Sequence, residues 1–128
     1  MAANPKPRVL VVDDEPSVLF TYRLLFEEQG YDVVAALSSE EATTALKDGA
    51  FQVILCDLSL ERDRTGFDVI GVAREHSPSV PCVLLTGYAN KEVADRAERN
   101  NVAVLYKPIE VDELLSTIQR MLRDSDAN

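Results

Sequence analysis

Five polar residues stand where apolar runs stop. Val9-Leu10-Val11-Val12 leads straight into Asp13-Asp14, and Val53-Ile54-Leu55-Cys56 leads into Asp57. Two later apolar runs end on Thr86 and on Lys107. If these runs are neighbouring parallel strands, their carboxyl ends gather three carboxylates, a hydroxyl and an ammonium in one crevice, where open α/β sheets bind ligands. Carboxylates in contact repel one another by roughly 4 kcal/mol per pair at an effective dielectric near 20. A divalent cation would neutralise such a cluster, and Mg²⁺ suits hard carboxylate oxygens. Taken alone, each residue has a plainer reading. Asp13 and Asp14 could cap a helix, Asp57 could open a solvated loop, Thr86-Gly87 could be a turn, and Lys107 could be a solvated lysine. Under the functional reading Thr86 donates to a phosphoryl oxygen and Gly87 lets backbone approach closely. The ordered recurrence at strand ends favours function.

These residues need a scaffold of alternating strands and helices. Strands are predicted at 8–12, 32–36, 52–56, 81–85 and 102–106, with helices near 15–29, 39–48, 66–76, 89–100 and 110–123. Alternation of this kind gives a doubly wound (βα)₅ α/β fold, a parallel five-stranded sheet with helices on both faces. The runs 9–12 and 53–56 are apolar throughout, as central parallel strands are. Pro16 suits the first turn of its helix. Val18, Leu19, Tyr22, Leu25 and Phe26 form a helical stripe that Gly30 ends. Ser38 or Ser39 caps the second helix, with Glu40 and Glu41 favourable in its first turn. Gly49 ends that helix, and Val111, Leu114, Leu115, Ile118, Met121 and Leu122 give the last helix its core face.

Length and charge narrow the class. The 128 residues make one domain, residues 1–128, with a core from about 7 to 123 and short tails that read as disordered. A net charge of −9 argues against direct nucleic-acid binding, which calls for a basic stripe. No apolar run has membrane-spanning length, and residues 1–7 lack the apolar core of a secretion signal. The expected location is therefore cytoplasmic. Cys56 and Cys82 read as buried small hydrophobes, offset by about three residues along adjacent strands, roughly 10 Å and too far for a disulfide.

Across the whole chain, the order Asp13-Asp14, Asp57, Thr86, Lys107-Pro108 on a (βα)₅ pattern resembles the receiver domain of two-component response regulators. The resemblance implies a flavodoxin-like strand order of 2-1-3-4-5 and an aspartyl phosphate on Asp57. It implies that Asp14, Asp57 and the backbone carbonyl of Ser59 bind Mg²⁺ directly, and Asp13 through water. Lys107 would pair with Asp57 and then with the phosphoryl group, and Thr86 would report phosphorylation. The implied donor is a partner phosphohistidine on a histidine kinase or histidine phosphotransfer protein. The output would be a switched surface around the fourth helix, fifth strand and fifth helix. Such a chain is a signalling receiver rather than an enzyme, a monomer or weak dimer. Pro108 is a candidate for a cis peptide.

The chain departs from that family in two places. The residue three before the lysine, often aromatic in receivers, is Val104, which leaves Tyr106 or Tyr88 as candidate substitutes. The loop after Asp57 carries Glu61-Arg62-Asp63-Arg64-Thr65, one residue long for the family and highly charged, and reads as solvated or as a determinant of partner choice. His76 reads as a surface residue at a helix end. The chain reads as a stand-alone receiver, mildly favoured by Met1, or as a module excised from a hybrid histidine kinase or multidomain regulator. An aspartate-nucleophile phosphohydrolase fits less well, since its second acid would stand where this chain has Ser59. A flavin carrier would need a phosphate-cradling loop where Asp13-Asp14-Glu15 would repel phosphate.

Overall fold

A computed structural model describes residues 6–88 and 90–126. The strands are β1 (Arg8–Val12), β2 (Asp32–Ala36), β3 (Val53–Asp57), β4 (Cys82–Thr86) and β5 (Ala103–Tyr106). They form one parallel sheet in the order β2-β1-β3-β4-β5. The helices are α1 (Pro16–Glu28), α2 (Ser39–Asp48), α3 (Gly66–His76), α4 (Lys91–Arg99) and α5 (Val111–Asp126). Strands and helices alternate as the sequence predicts. Strands β3 and β4 begin and end one residue later than predicted. The ladder therefore takes in Asp57 and Thr86 themselves, and the Leu58 N–H continues it to the Leu85 carbonyl at 2.8 Å.

Alternation of side chains along the strands makes two cores. Leu10, Ile54, Cys56, Leu84 and their neighbours pack against α2, α3 and α4. Val9, Val11, Leu55, Val83 and Leu85 pack against α1 and α5. Full burial of a residue such as Ile54 or Leu55 contributes about 1.5–3 kcal/mol, so the central strands are the rigid base on which the loops stand. Helix α4 is attached most lightly: Ala97 is its buried residue, and Val93 is half-buried. Helix α3 buries Phe67, Val69, Ile70 and Ala73.

Local chemistry sets the helix ends. Ser38 caps α2, accepting the Glu41 N–H at 3.0 Å. Thr65 and Asp68 form a reciprocal capping box at the start of α3. Gly30 takes φ +89° just past α1, a left-handed conformation glycine adopts freely. The C-terminal tail expected to be disordered beyond about residue 123 is helical as far as Asp126, where α5 ends; the rest of the expected tails, residues 1–5 and 127–128, lies outside the described residues. Cys56 and Cys82 are both buried and unbridged. Their offset is two residues rather than three, because Cys82 registers with Ile54.

Candidate functional site

Register brings the polar residues together. Val12 pairs with Cys56, so Asp13, one residue beyond β1, comes level with Asp57 at the end of β3. Carboxylate oxygens of Asp13, Asp14 and Asp57 lie within 4.8 Å of one another. Asp14 is exposed, whereas Asp13 is only 2% exposed and Asp57 8%. Neither aspartate of the pair caps α1, whose N-cap is Glu15 with no side-chain cap. Instead Asp13 Oδ1 accepts the Glu15 N–H at 2.9 Å. Its other oxygen, Oδ2, is the buried side-chain oxygen or nitrogen that lacks a hydrogen-bond partner among the described residues. A buried carboxylate oxygen with nothing to accept is costly, and a cation between the three carboxylates would relieve it. The donor set, all hard oxygen, fits Mg²⁺.

Lys107 reaches in from just past β5, its Nζ 3.2 Å from Asp57 Oδ2. Burial works against the charged ammonium, but the charge and hydrogen bond of Asp57, helped by Asp13, outweigh it and hold the Lys107 pKa above its usual value. Asp13 is shifted the other way for an acid: burial raises its pKa, Asp57 and Asp14 add to the rise, and the Glu15 N–H and Lys107 offset only part of it. The Lys107-Pro108 peptide is cis, as the sequence allowed.

Thr86 is buried at the end of β4, but its hydroxyl is engaged locally. It donates to the Tyr88 carbonyl at 3.3 Å and accepts the Tyr88 N–H at 3.1 Å. Tyr88 is largely exposed. Tyr106 is the register partner of Thr86 and about half exposed, while Val104 is half-buried against the α2–α4 side core. Among the described residues, a β-carbon on Gly87 would meet only the Lys107 Cβ, at 3.9 Å, an ordinary contact that leaves room for a side chain. Gly66 has no such room: a β-carbon on it would lie 2.7 Å from the Asp57 carbonyl oxygen and 2.5 Å from Leu84 Cδ1.

Two site neighbours escaped the sequence reading. Tyr22, read there as core stripe, lies close enough to feel the charges of Lys107, Asp13 and Asp57; burial raises its phenol pKa. Glu61, read as part of a loop either solvated or selecting a partner, accepts from the Ser39 N–H at 3.0 Å and from the Ser39 hydroxyl. Burial raises the Glu61 pKa, but the two Ser39 hydrogen bonds, helped by a local backbone hydrogen bond and the Arg64 charge, together outweigh it and hold the pKa below its usual value. Ser59, predicted to offer a carbonyl, sits two residues beyond Asp57 with its backbone bridged to Thr65.

Strand order and helix placement define a flavodoxin-like fold of the CheY type. The chain belongs to the response regulator receiver domain family, which it matches over residues 9–119. It is similar to the receiver domain protein (CheY-like) of Methanospirillum hungatei JF-1, with a TM-score of 0.89 and 26% identity over 96% of this chain and 98% of that one. Vibrio cholerae chemotaxis protein CheY4 superposes with a TM-score of 0.83 and 27% identity, covering 91% of this chain and 99% of its own. The alginate biosynthesis transcriptional regulatory protein AlgB of Pseudomonas putida is 33% identical over 122 residues, which is 94% of this chain and 27% of AlgB. The transcriptional regulatory protein ZraR of Escherichia coli K12 is 28% identical over 115 residues, 89% of this chain and 26% of ZraR. The chain thus spans about a quarter of the length of these two curated relatives. Among the described residues, no helix is long and apolar enough to cross a membrane.

Proposed function

We propose that the chain accepts a phosphoryl group on Asp57 from a partner phosphohistidine, with Mg²⁺ as cofactor. The observation that carries the reading is the trio of carboxylates within 4.8 Å with the Lys107 ammonium on Asp57 Oδ2. A carboxylate oxygen is a competent nucleophile toward phosphorus. An oxygen of Asp57 forms the new O–P bond as the P–N bond to the donor imidazole breaks, and the imidazole leaves with the bonding pair. Bound Mg²⁺ would neutralise charge on the phosphoryl oxygens; Asp14, Asp57 and the Ser59 carbonyl would hold it, and Asp13 would do so through water. Phosphoryl transfer of this kind depends on positioning and charge neutralisation more than on covalent chemistry. Lys107, already on Asp57, pairs with the incoming group.

The switch follows from Thr86. To donate to a phosphoryl oxygen, its hydroxyl must give up the Tyr88 carbonyl, so the start of the β4–α4 connection is drawn along. Helix α4, held by few buried apolar side chains, is the element such a pull moves most readily. The face formed by α4, β5 and α5 would then present a changed surface to a downstream protein. Val104 has no aromatic ring to swing, so Tyr106, beside Thr86 in the sheet, takes that place. Beryllofluoride with Mg²⁺ tests the switch, since it mimics an aspartyl phosphate. The native chain should show changed amide signals from Thr86 through α4, and Asp57→Asn should show none. Equal changes in both proteins, or none in the native chain, would contradict the reading.

A further inference from the structure

The loop from Asp57 to α3 is held at several points. Leu60 is buried, its N–H donates to the Arg64 carbonyl at 3.0 Å, and the Arg64 N–H returns to the Glu61 carbonyl at 2.8 Å. Between them Arg62 and Asp63 both take positive φ, +50° and +60°. Side chains without glycine's freedom resist that conformation, so a turn of this shape persists where its surroundings fix it. One contact ties the turn to a distant element. The Glu61 carboxylate takes both the backbone N–H and the hydroxyl of Ser39, the first residue of α2 and 22 positions away. That N–H is one a helix leaves without an internal partner. An anion there also meets the favourable end of the helix dipole.

We propose that Glu61 is a positioning residue for the metal site, anchoring the loop on α2 and so fixing the backbone of Ser59. The proposal rests on the reading of Asp13, Asp14, Asp57 and the Ser59 carbonyl as a Mg²⁺ site. Leu60 alone separates Ser59 from Glu61, and the bridge between Ser59 and Thr65 makes the loop a closed unit. A shift at the anchor therefore passes to Ser59. Mg²⁺ demands oxygen ligands near 2.0–2.1 Å in near-octahedral array, so it tolerates little ligand displacement.

The test is a calorimetric Mg²⁺ titration of the full chain and of Ser39→Ala, Ser39→Thr, Glu61→Gln and the double variant Ser39→Ala/Glu61→Gln. Glu61→Gln also removes a charge that would attract the ion from a distance. Ser39→Ala leaves every charge in place and lies in another element, so it reports on the anchor alone. Loss of a partner that orients a metal ligand typically weakens affinity by about 10- to 100-fold; for this indirect anchor, Ser39→Ala should weaken Mg²⁺ binding by about tenfold. Ser39→Thr, which keeps the hydroxyl, should restore it. The double variant should bind no more weakly than Glu61→Gln. Native affinity in Ser39→Ala, or losses that multiply in the double variant, would overturn the anchor while leaving the metal site standing. Failure of the native chain to bind Mg²⁺ would overturn the metal site and the anchor with it.

Discussion

Asp13→Asn should make the metal-free protein more stable. Asp13 is buried, its Oδ2 has no hydrogen-bond partner among the described residues, and its carboxylate lies within 4.8 Å of those of Asp14 and Asp57. At that separation and an effective dielectric near 20, each like-charge pair costs about 3.5 kcal/mol. Asp14 is exposed, so water screens most of its share. Lys107, 3.2 Å from Asp57, cancels part of the other. About 2 kcal/mol of net repulsion and desolvation is left for the substitution to relieve. The asparagine oxygen can still accept the Glu15 N–H, so no hydrogen bond need be lost. For a domain of this size the gain corresponds to a rise in Tm of roughly 6–10 °C. Thermal denaturation in a chelator at neutral pH measures it. The same melts in millimolar Mg²⁺ should raise the native chain and narrow the gap, because a ligand that binds only the folded state stabilises it. An asparagine variant that melts below the native chain in the chelator would refute the reasoning.

Other perturbations probe the same site. Because the folded-state pKa of Asp13 lies above 3.8, the folded state holds that proton more tightly than the unfolded chain. The Asp13 contribution to metal-free stability should therefore fall as pH rises from about 3.8 through the folded value and then level off, and the difference between native and Asp13→Asn urea midpoints should follow that curve; a flat difference would contradict it. Gly66→Ala would press a methyl on the Asp57 carbonyl and Leu84, so it should cost about 1–3 kcal/mol in urea denaturation, and an unchanged midpoint would show that α3 is not so closely seated. Lys107→Ala should fold normally yet lose most of the beryllofluoride-induced amide changes; unaltered changes would remove the lysine from the switch.

The site was legible because of where polarity begins. Parallel strands buried on both faces are apolar to the last residue, so Asp13, Asp57, Thr86 and Lys107 stood out as the points where each run breaks. Their pairing in space needed only the sheet order, which alternation restricts and the family resemblance completes. Strand limits slipped by a residue in β3 and β4 because Asp57 and Thr86, though polar, lend their backbone to the ladder. What stayed hidden depends on contacts between distant segments. Nothing local to Glu61 announces a bond to Ser39, and an apolar stripe that includes Tyr22 gives no sign that its phenol feels the charge of Lys107. The offset of Cys56 and Cys82 likewise follows from register, which an uninterrupted apolar run does not specify.

The central claim is that Asp57 is the phosphoryl acceptor. Intact mass after incubation with Mg²⁺ and a small-molecule phosphodonor tests it most directly, with the native chain and Asp57→Asn side by side. One phosphoryl adduct is expected on the native chain, absent from Asp57→Asn and absent when a chelator replaces Mg²⁺. An equal adduct on both proteins, or one formed without the metal, would contradict it.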